Sequence, residues 1–228
     1  MCQLDDGTIV SCSWDKSIMI GDYTIKSAHE SWILKVITLP NNRIASSSFD
    51  YSIKIWKSNP PYSDIPIKVL RGHSRDVTSL LYMKERDVMI SRSFDVTLRI
   101  WNMSTYQCDK VIEGVDCCSR NSLYQIDKDR VIVGGYISFC IVNIDKCVIE
   151  KTIKDESLEF VRCFLKLRDN KTILCGCEYG IFCFYDMNTK QYKITKNNHK
   201  DSIFDLLLID ENTFLSCSED TTIKVWRY

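Results

Sequence analysis

A segment of the form Ser-x-Ser-x-Asp, followed after two residues by an alternating apolar run, recurs along the whole of this 228-residue chain. Four copies are clear: SCSWDKSIMIG from Ser11, SSSFDYSIKIW from Ser46, SRSFDVTLRIW from Ser91 and SCSEDTTIKVW from Ser216. Self-similarity at a fixed period is typical of repeat architectures, in which each unit buries its apolar surface against its neighbours. The repeat therefore constrains the fold more than any other feature of the sequence.

Two weaker copies fill the gap between the third and fourth clear ones. In CGCEYGIFCFY, from Cys175, cysteines replace the serines, and in VGGYISFCIV, from Val133, the turn is shorter. Intervals of 35, 45, 41, 43 and 41 residues separate the ends of the six runs, which are Gly21, Trp56, Trp101, Val142, Tyr185 and Trp226. The period is therefore close to 41 residues.

Polar turns with the same period, such as Asp5-Asp6-Gly7 and Asp169-Asn170-Lys171, separate short β-rich runs that lack helical periodicity. Strands of this length between such turns predict four-stranded antiparallel units. We therefore expect an all-β chain of about six units, the first and last incomplete, in a single domain covering residues 1–228. The approximate unit boundaries are 1–28, 29–72, 73–115, 116–156, 157–198 and 199–228. Whether the complete fold has six or seven units stays open.

All three histidines have a fixed place in this repeat. Each lies 27 or 28 residues before a tryptophan, in the pairs His29 and Trp56, His73 and Trp101, and His199 and Trp226, and an aspartate lies six residues before each tryptophan. With these residues the chain resembles the WD40-repeat family of β-propeller proteins, and Gly72-His73 is its one intact Gly-His pair. The family's final Asp is absent after the three tryptophans, where Lys57, Asn102 and Arg227 stand.

The resemblance implies a hydrogen-bonded set of Asp, His, Ser and Trp inside three of the units. The sets are His29, Ser46, Asp50 and Trp56; His73, Ser91, Asp95 and Trp101; and His199, Ser216, Asp220 and Trp226. Which of the two serines in each Ser-x-Ser takes part stays open. Catalysis needs an exposed nucleophile with an oxyanion hole, so a set repeated three times is expected to be structural. The fourth and fifth units, which lack the His and Asp, are expected to be held by apolar packing alone.

In the resembled family, partner peptides usually bind the rim called the top, onto which the residues before each Asp and shortly after each His face. Large aromatic side chains are unusual at turn positions and dominate interface hot spots, so they predict a binding surface. The alternative is that these rings cap the cores of their own units. Acidic neighbours favour a peptide or loop with apolar anchors and basic flanks. The candidate partner-binding residues are Trp14, Trp32, Leu34, Phe49, Asp76, Thr78, Phe94, Glu178, Phe204 and Glu219.

The function that these features favour is a non-catalytic protein-protein interaction scaffold or adaptor within a multiprotein complex. One alternative is the substrate-recognition module of a ubiquitin ligase, although these residues contain no F-box. A propeller hydrolase is less favoured, because no paired carboxylates stand outside the repeat positions and no Gly-rich phosphate loop occurs.

Composition limits the remaining function classes. Thirty Lys and Arg balance thirty Asp and Glu, which argues against nucleic-acid binding, and no apolar stretch approaches a membrane span. We expect a cytoplasmic protein, with the nucleus as the alternative. The twelve cysteines lack zinc-ligand spacing, the closest sets being Cys117-Cys118 and Cys175-x-Cys177, so no metal or cofactor is expected. The proline-rich loop around Pro60 and Pro61 is interpreted as a solvated connector, with a second contact surface as the alternative.

Overall fold

A computed structural model describes residues 1–116 and 122–228 of the chain. Regular structure in these residues consists of 23 β-strands and three short 3-10 turns at Lys84–Arg86, Glu156–Leu158 and Glu178–Gly180. The chain divides into two compact units, residues 1–115 and 116–228, which we describe separately.

The first unit contains three four-stranded sheets. Sheet 1 is formed by β1 (Cys2–Gln3), β2 (Ile9–Cys12), β3 (Ile18–Ile20) and β4 (Tyr23–Ile25). Sheet 2 is formed by β5 (Ile33–Leu39), β6 (Arg43–Ser48), β7 (Ile53–Lys57) and β8 (Lys68–Leu70). Sheet 3 is formed by β9 (Val77–Met83), β10 (Val88–Ser93), β11 (Thr97–Asn102) and β12 (Cys108–Glu113).

The second unit contains two four-stranded sheets and one three-stranded sheet. Sheet 4 is formed by β13 (Leu123–Gln125), β14 (Arg130–Gly134), β15 (Ser138–Asn143) and β16 (Val148–Lys154). Sheet 5 is formed by β17 (Val161–Lys166), β18 (Thr172–Cys177), β19 (Phe182–Asp186) and β20 (Tyr192–Thr195). Sheet 6 is formed by β21 (Ile203–Leu208), β22 (Thr213–Ser218) and β23 (Ile223–Arg227).

Every sheet is an antiparallel meander in which strands that follow one another in sequence also pair with one another. This is the construction of a β-propeller blade. The prediction of an all-β fold with incomplete first and last units is confirmed: β1 has only two residues, and sheet 6 has three strands. The arrangement as a single domain stays a prediction.

The apolar cores of the first unit lie between consecutive sheets. Val10, Ile18 and Ile20 of sheet 1 pack with Val36, Ile44 and Trp56 of sheet 2. Ala45, Ile53 and Ile55 of sheet 2 pack in the same way with Val77, Met89 and Trp101 of sheet 3. Sheet 2 is therefore covered on both faces, which is why its strand β6 contains a run of five buried residues rather than a strict alternation.

The second unit repeats this packing with different side chains. Phe139 and Ile141 of sheet 4 pack with Ile173, Cys175 and Tyr185 of sheet 5. Phe182 and Leu174 of sheet 5 pack with Phe214 and Leu206 of sheet 6, with Trp226 at the margin of the cluster. Tyr185 therefore takes the place that the tryptophans hold in sheets 2 and 3, as the spacing of the weaker copies indicates.

Several cysteines are core residues. Cys140, Cys163, Cys175, Cys177 and Cys183 are buried, and burial raises the pKa of the Cys163, Cys175 and Cys177 thiols. Such thiols pack as small apolar side chains. The Cys117-Cys118 pair lies outside the described residues. Within the described residues no three His, Cys, Asp or Glu side chains are grouped as they would be to hold a metal ion.

Residues 1–116 and 122–228 contain no helix with the length and apolar character that a bilayer crossing requires. The proline-rich loop after β7 is largely exposed, in agreement with a solvated connector, and it also contacts sheet 1. Tyr62 stacks on Tyr23 of sheet 1 with ring centroids 4.6 Å apart, and the Tyr23 hydroxyl donates a 2.7 Å hydrogen bond to Asp64. The loop therefore joins sheet 2 to the outer strand of sheet 1.

Candidate functional site

Sheet 2 holds a chain of hydrogen bonds between four side chains that are far apart in sequence. Trp56 Nε1 donates to Ser46 Oγ at 2.8 Å, Ser46 Oγ lies 2.7 Å from His29 Nε2, and His29 Nδ1 lies 2.8 Å from Asp50 Oδ2. The strands β6 and β7 carry Ser46 and Trp56, while His29 precedes β5 and Asp50 follows β6. The set therefore connects three of the four strands of the sheet.

The same arrangement occurs in sheets 3 and 6. Ser91 Oγ lies 2.6 Å from His73 Nε2 and accepts from Trp101 Nε1 at 2.8 Å. Ser216 Oγ lies 2.6 Å from His199 Nε2 and accepts from Trp226 Nε1 at 2.7 Å. Asp95 and Asp220 lie 2.8 and 2.9 Å from the Nδ1 atoms of their histidines. The first serine of each Ser-x-Ser is thus the one that joins the set, which the sequence leaves open.

The direction of each hydrogen bond in sheet 2 follows from the donors available. An indole N–H only donates, so Ser46 Oγ accepts from Trp56 and directs its own proton to His29 Nε2. The proton of the neutral imidazole is then on Nδ1, where it is donated to Asp50. Burial lowers the pKa of His29 and of His73, which agrees with this neutral form. Burial raises the pKa of Asp50, but hydrogen bonds from His29 and Ser52 outweigh it and hold that pKa well below its ordinary value.

Ser46, His29 and Asp50 have the connectivity of a hydrolytic triad, but the serine is not accessible. Ser46 is 0% exposed and His29 only 2% exposed, and the serine oxygen also accepts from Trp56. A triad nucleophile must meet a substrate carbonyl and an oxyanion hole. In this conformation the geometry serves to satisfy buried polar groups on the inner strands of the sheet.

A fifth member of each set follows a pattern that sequence reasoning did not use. The hydroxyls of Ser52, Thr97 and Thr222 donate to Oδ1 of the aspartate two residues earlier at 2.6, 2.7 and 2.6 Å. These hydroxyls orient the carboxylate so that its other oxygen faces the histidine. The Asp-x-Ser/Thr spacing was visible in the sequence in all three units.

Sheet 4 is not held by apolar packing alone, and that expectation is wrong. Asp116 Oδ2 accepts from the Ser138 hydroxyl at 2.8 Å and from the Tyr136 backbone N–H at 3.1 Å. A Cβ on Gly135 would lie 2.3 Å from the same oxygen, so only glycine leaves room for the carboxylate. Asp116 lies in the segment before β13 and reaches the turn between β14 and β15 from there. The repeat pattern expects this Asp within the turn itself and therefore does not identify Asp116.

At the predicted top rim of the first unit, three aromatic side chains form one cluster. Trp14 and Trp32 stack with ring centroids 4.8 Å apart and planes 9° from parallel, and Phe49 lies 5.4 Å from Trp32. Trp14 is 55% exposed and Trp32 41% exposed, while Phe49 is half-buried. We call Trp14, Trp32 and Phe49 the aromatic cluster. Its tryptophan rings cover each other and leave much of their surface open to solvent.

A recurring backbone hydrogen bond explains why these rim positions meet. The N–H of Phe49 donates to the carbonyl of Trp32 at 3.0 Å, so the residue before Asp50 is held beside the third residue after His29. Equivalent bonds join Phe94 to Asp76, Glu178 to Phe160 and Glu219 to Ser202. The chemistry of each rim position is therefore set by a pair of residues rather than by one.

The other predicted rim residues of the first unit differ in exposure. Leu34, Asp76 and Phe94 are half-buried. Thr78 is fully buried, and its hydroxyl donates to the Arg92 carbonyl at 3.4 Å. Its assignment to a partner-binding surface is corrected, because residues 77–80 of β9 are all buried, so both faces of the strand are covered there.

In the second unit, Glu178 forms an ion pair with Arg162, whose guanidinium also lies 6.0 Å from the centre of the Phe204 ring. Phe204 is 48% exposed, and Glu219 is exposed. Sequence reasoning missed Arg162 and the aromatic pair Tyr136 and Phe160, whose rings are 4.9 Å apart. These residues belong to the fourth and fifth units, the weak copies of the repeat. Those copies lack the His and Asp by which the rim positions of the other units are aligned.

The meandering sheets and the three buried Asp-His-Ser-Trp sets define a β-propeller repeat protein. The chain belongs to the WD40-repeat family: the family model described as "WD domain, G-beta repeat" matches residues 23–57, 64–102 and 190–227. Each match ends one residue after a repeat tryptophan. The first ends after Trp56 of sheet 2, the second after Trp101 of sheet 3 and the third after Trp226 of sheet 6.

Curated relatives share part of this chain. The chain is 33% identical over 93 residues to the nuclear distribution protein nudF of Aspergillus niger, a match that spans 40% of this chain and 20% of the relative. It is 39% identical over 71 residues to the nuclear distribution protein nudF 1 of Talaromyces marneffei, which spans 31% of this chain and 15% of the relative. The match therefore covers a fifth or less of the length of these relatives.

Proposed function

We propose that this chain is a non-catalytic protein-interaction module and that the aromatic cluster of its first unit is a binding surface for a partner peptide or loop. The observation that carries the proposal is the stacked, half-exposed pair of Trp14 and Trp32 beside Phe49. Flat aromatic surface that is already ordered costs little conformational entropy on binding, and tryptophan is enriched among interface hot spots.

The buried sets support the absence of catalysis. Each serine that contacts a histidine is shielded from solvent and accepts a hydrogen bond from an indole, so the repeated triad connectivity supplies stability to the blades. The relatives support the same class, since they are nuclear distribution proteins whose name describes a cellular process and not a reaction. We keep the cytoplasm as the proposed compartment.

Charge supports a partner with apolar anchors and basic flanks. Glu30 and Asp15 are exposed and lie close in sequence to Trp32 and Trp14. A hydrophobic side chain of the partner would lie on the indole surface, and Lys or Arg residues beside it would meet these carboxylates. Such charges contribute to encounter rate and specificity more than to affinity.

The test is recovery of partners by affinity purification of the tagged chain from the cells that make it, followed by quantitative mass spectrometry. The double variant Trp14→Ala, Trp32→Ala is compared with the wild type and with Val111→Ala, which removes a side chain 41% exposed on the outer strand of sheet 3. We expect the tryptophan variant to lose specific partners by about tenfold or more and the valine variant to keep them. Equal recovery by all three folded proteins would refute the proposal.

A further inference from the structure

The first unit contains a cavity of about 260 Å³ where turns of its three sheets meet. The lining comes from the β1–β2 turn, the end of β5 with the turn that follows it, the residue after β7, and the end of β9 with the turn after it. The lining residues that matter here are Leu4, Asp5, Leu39, Pro40, Ser58 and Lys84. Sites for drug-sized ligands occupy about 300–1,000 Å³, so this cavity has room for a smaller molecule.

Two side chains of opposite charge line the cavity without pairing. Asp5 lies in the turn of sheet 1 and Lys84 in the turn after β9 of sheet 3, and both are exposed. Within the described residues, the Asp5 carboxylate accepts no hydrogen bond, the Lys84 ammonium group donates none, and neither forms an ion pair. The cavity therefore presents one negative and one positive charge to a molecule that enters it.

The hydroxyl of Ser58 is a third polar group at the cavity. Ser58 is 3% exposed, and its Oγ has no hydrogen-bond partner among the described residues. Its backbone N–H donates to the carbonyl of Asn42 at 2.8 Å, which fixes the residue at the cavity wall. Nearly all buried polar side chains have a partner, so a hydroxyl that lacks one beside a cavity indicates a place where a bound molecule supplies it.

Hydrogen bonds outside the cavity hold its walls in place. The Nε of Arg43 donates to the carbonyl of Pro40 at 2.9 Å. The hydroxyl of Tyr82, which also lines the cavity, donates to Asp87 at 2.9 Å. A site whose walls are already ordered loses little conformational entropy when a ligand binds.

The cavity also has an apolar wall. Leu39 is 7% exposed and belongs to the core between sheets 2 and 3, while Leu4 packs against the core between sheets 1 and 2. Pro40 is half-buried beside them in sequence and lining. An aliphatic group placed on this wall removes apolar surface from water, which a wholly polar ion would not do.

We propose that this cavity binds a free aliphatic α-amino acid of about the size of leucine. Asp5 accepts from its ammonium group, Lys84 and the Ser58 hydroxyl donate to its carboxylate, and its side chain lies on the apolar wall. A simple anion would meet the repulsion of Asp5 and a simple cation that of Lys84, so a molecule with both charges fits better than either. This proposal does not rest on the function proposed for the aromatic cluster.

The probe is L-leucine, titrated into the full chain by isothermal calorimetry beside two analogues. Leucinamide lacks the carboxylate, and 4-methylpentanoate lacks the ammonium group. We expect saturable binding of one leucine per chain and binding of each analogue that is weaker by about fivefold, the upper range of an exposed ion pair. Ser58→Ala should weaken the binding of leucine about two- to tenfold, as the loss of one hydrogen bond does.

The matched variants are Lys84→Gln and Lys128→Gln. Lys128 is likewise exposed, but it lies in the β13–β14 turn of sheet 4, outside the cavity. Lys84→Gln should weaken leucine about fivefold and leave leucinamide unchanged, whereas Lys128→Gln should change neither. Asp5→Asn should in the same way weaken leucine and leave 4-methylpentanoate unchanged. These exposed positions tolerate substitution, so the variants fold.

Three results would overturn the proposal. The first is that leucine does not bind the full chain. The second is that either analogue binds as tightly as leucine, because one of the two charges then has no role. The third is that Lys84→Gln and Lys128→Gln change leucine binding equally, because leucine then binds elsewhere on the chain.

Discussion

The hydroxyl of Ser46 links Trp56 to His29 inside sheet 2, accepting from the indole at 2.8 Å and lying 2.7 Å from the imidazole. One small side chain therefore satisfies two larger buried groups, which are 1% and 2% exposed. The same relationship recurs in sheets 3 and 6, so it is a property of the repeat and not of one blade.

Replacing this serine should destabilise the chain strongly. In Ser46→Ala, the indole N–H and the imidazole Nε2 both lose a buried partner, and we expect the free energy of unfolding to fall by about 2–6 kcal/mol, at about 1–3 kcal/mol for each group. The control is Ser47→Ala, because Ser47 is equally buried and its hydroxyl has no hydrogen-bond partner among the described residues. Urea unfolding should show the first variant weakened and the second unchanged or slightly more stable.

Stability should fall on acidification in two steps. The pKa of His29 and His73 is lower in the folded chain than the ordinary value of 6.5, so the unfolded chain takes up protons first as the pH drops below about 6.5. The histidine contribution is complete above that pH and is lost below it. The pKa values of Asp50 and Asp95 are also lowered, so a second loss begins near their ordinary value of 3.8.

Thermal unfolding followed from about pH 8 to pH 3 checks this dependence. The midpoint temperature should decline between about pH 6.5 and 5 and then fall more steeply below about pH 4. A midpoint that rises as the pH drops from 7 to 5 would contradict the sign derived from the two histidines.

Gly180 should tolerate no side chain. It has a φ of +67°, and an added Cβ would lie 1.8 Å from the backbone oxygen of His199. Gly180→Ala should therefore cost about 3 kcal/mol or more, from left-handed backbone strain together with overpacking. Gly114 offers a comparison, since its φ is +72° but no atom lies within 4 Å of an added Cβ. Gly114→Ala should cost only about 1 kcal/mol, and equal losses in denaturant melts would argue against the contact.

Asp116 should stabilise sheet 4 although it lies outside the repeat pattern. Asp116→Ala leaves the Ser138 hydroxyl and the Tyr136 N–H without this acceptor, and we expect a loss of about 1–3 kcal/mol in the free energy of unfolding. Asp116→Asn, which keeps one oxygen, should lose less. Glu113→Ala, at an exposed position three residues earlier, should change stability by less than about 0.5 kcal/mol in the same urea titration.

Periodicity alone was sufficient to predict the all-β class, the meander and the incomplete sixth sheet. Repeat proteins allow this because every unit meets nearly the same neighbours, so the same few residue types recur wherever the same buried polar problem must be solved. The WD40 resemblance that the spacing of His29, Asp50 and Trp56 carries predicted which side chains meet. The weak copies predicted less, since Asp116 and Arg162 reach their partners from segments that the repeat does not align.

The sequence by itself determined the blade repeat, because hydrophobic alternation and fixed spacing are local properties of the chain, and its resemblance to the WD40-repeat family implied the members of the buried sets. Only the tertiary structure decided that Ser46 rather than Ser48 bridges Trp56 and His29, that Thr78 is buried, and that Trp14 and Trp32 stack in the open. Those outcomes depend on how neighbouring strands and sheets approach one another, and a pattern along one strand contains no information on the side chains that another strand brings to it.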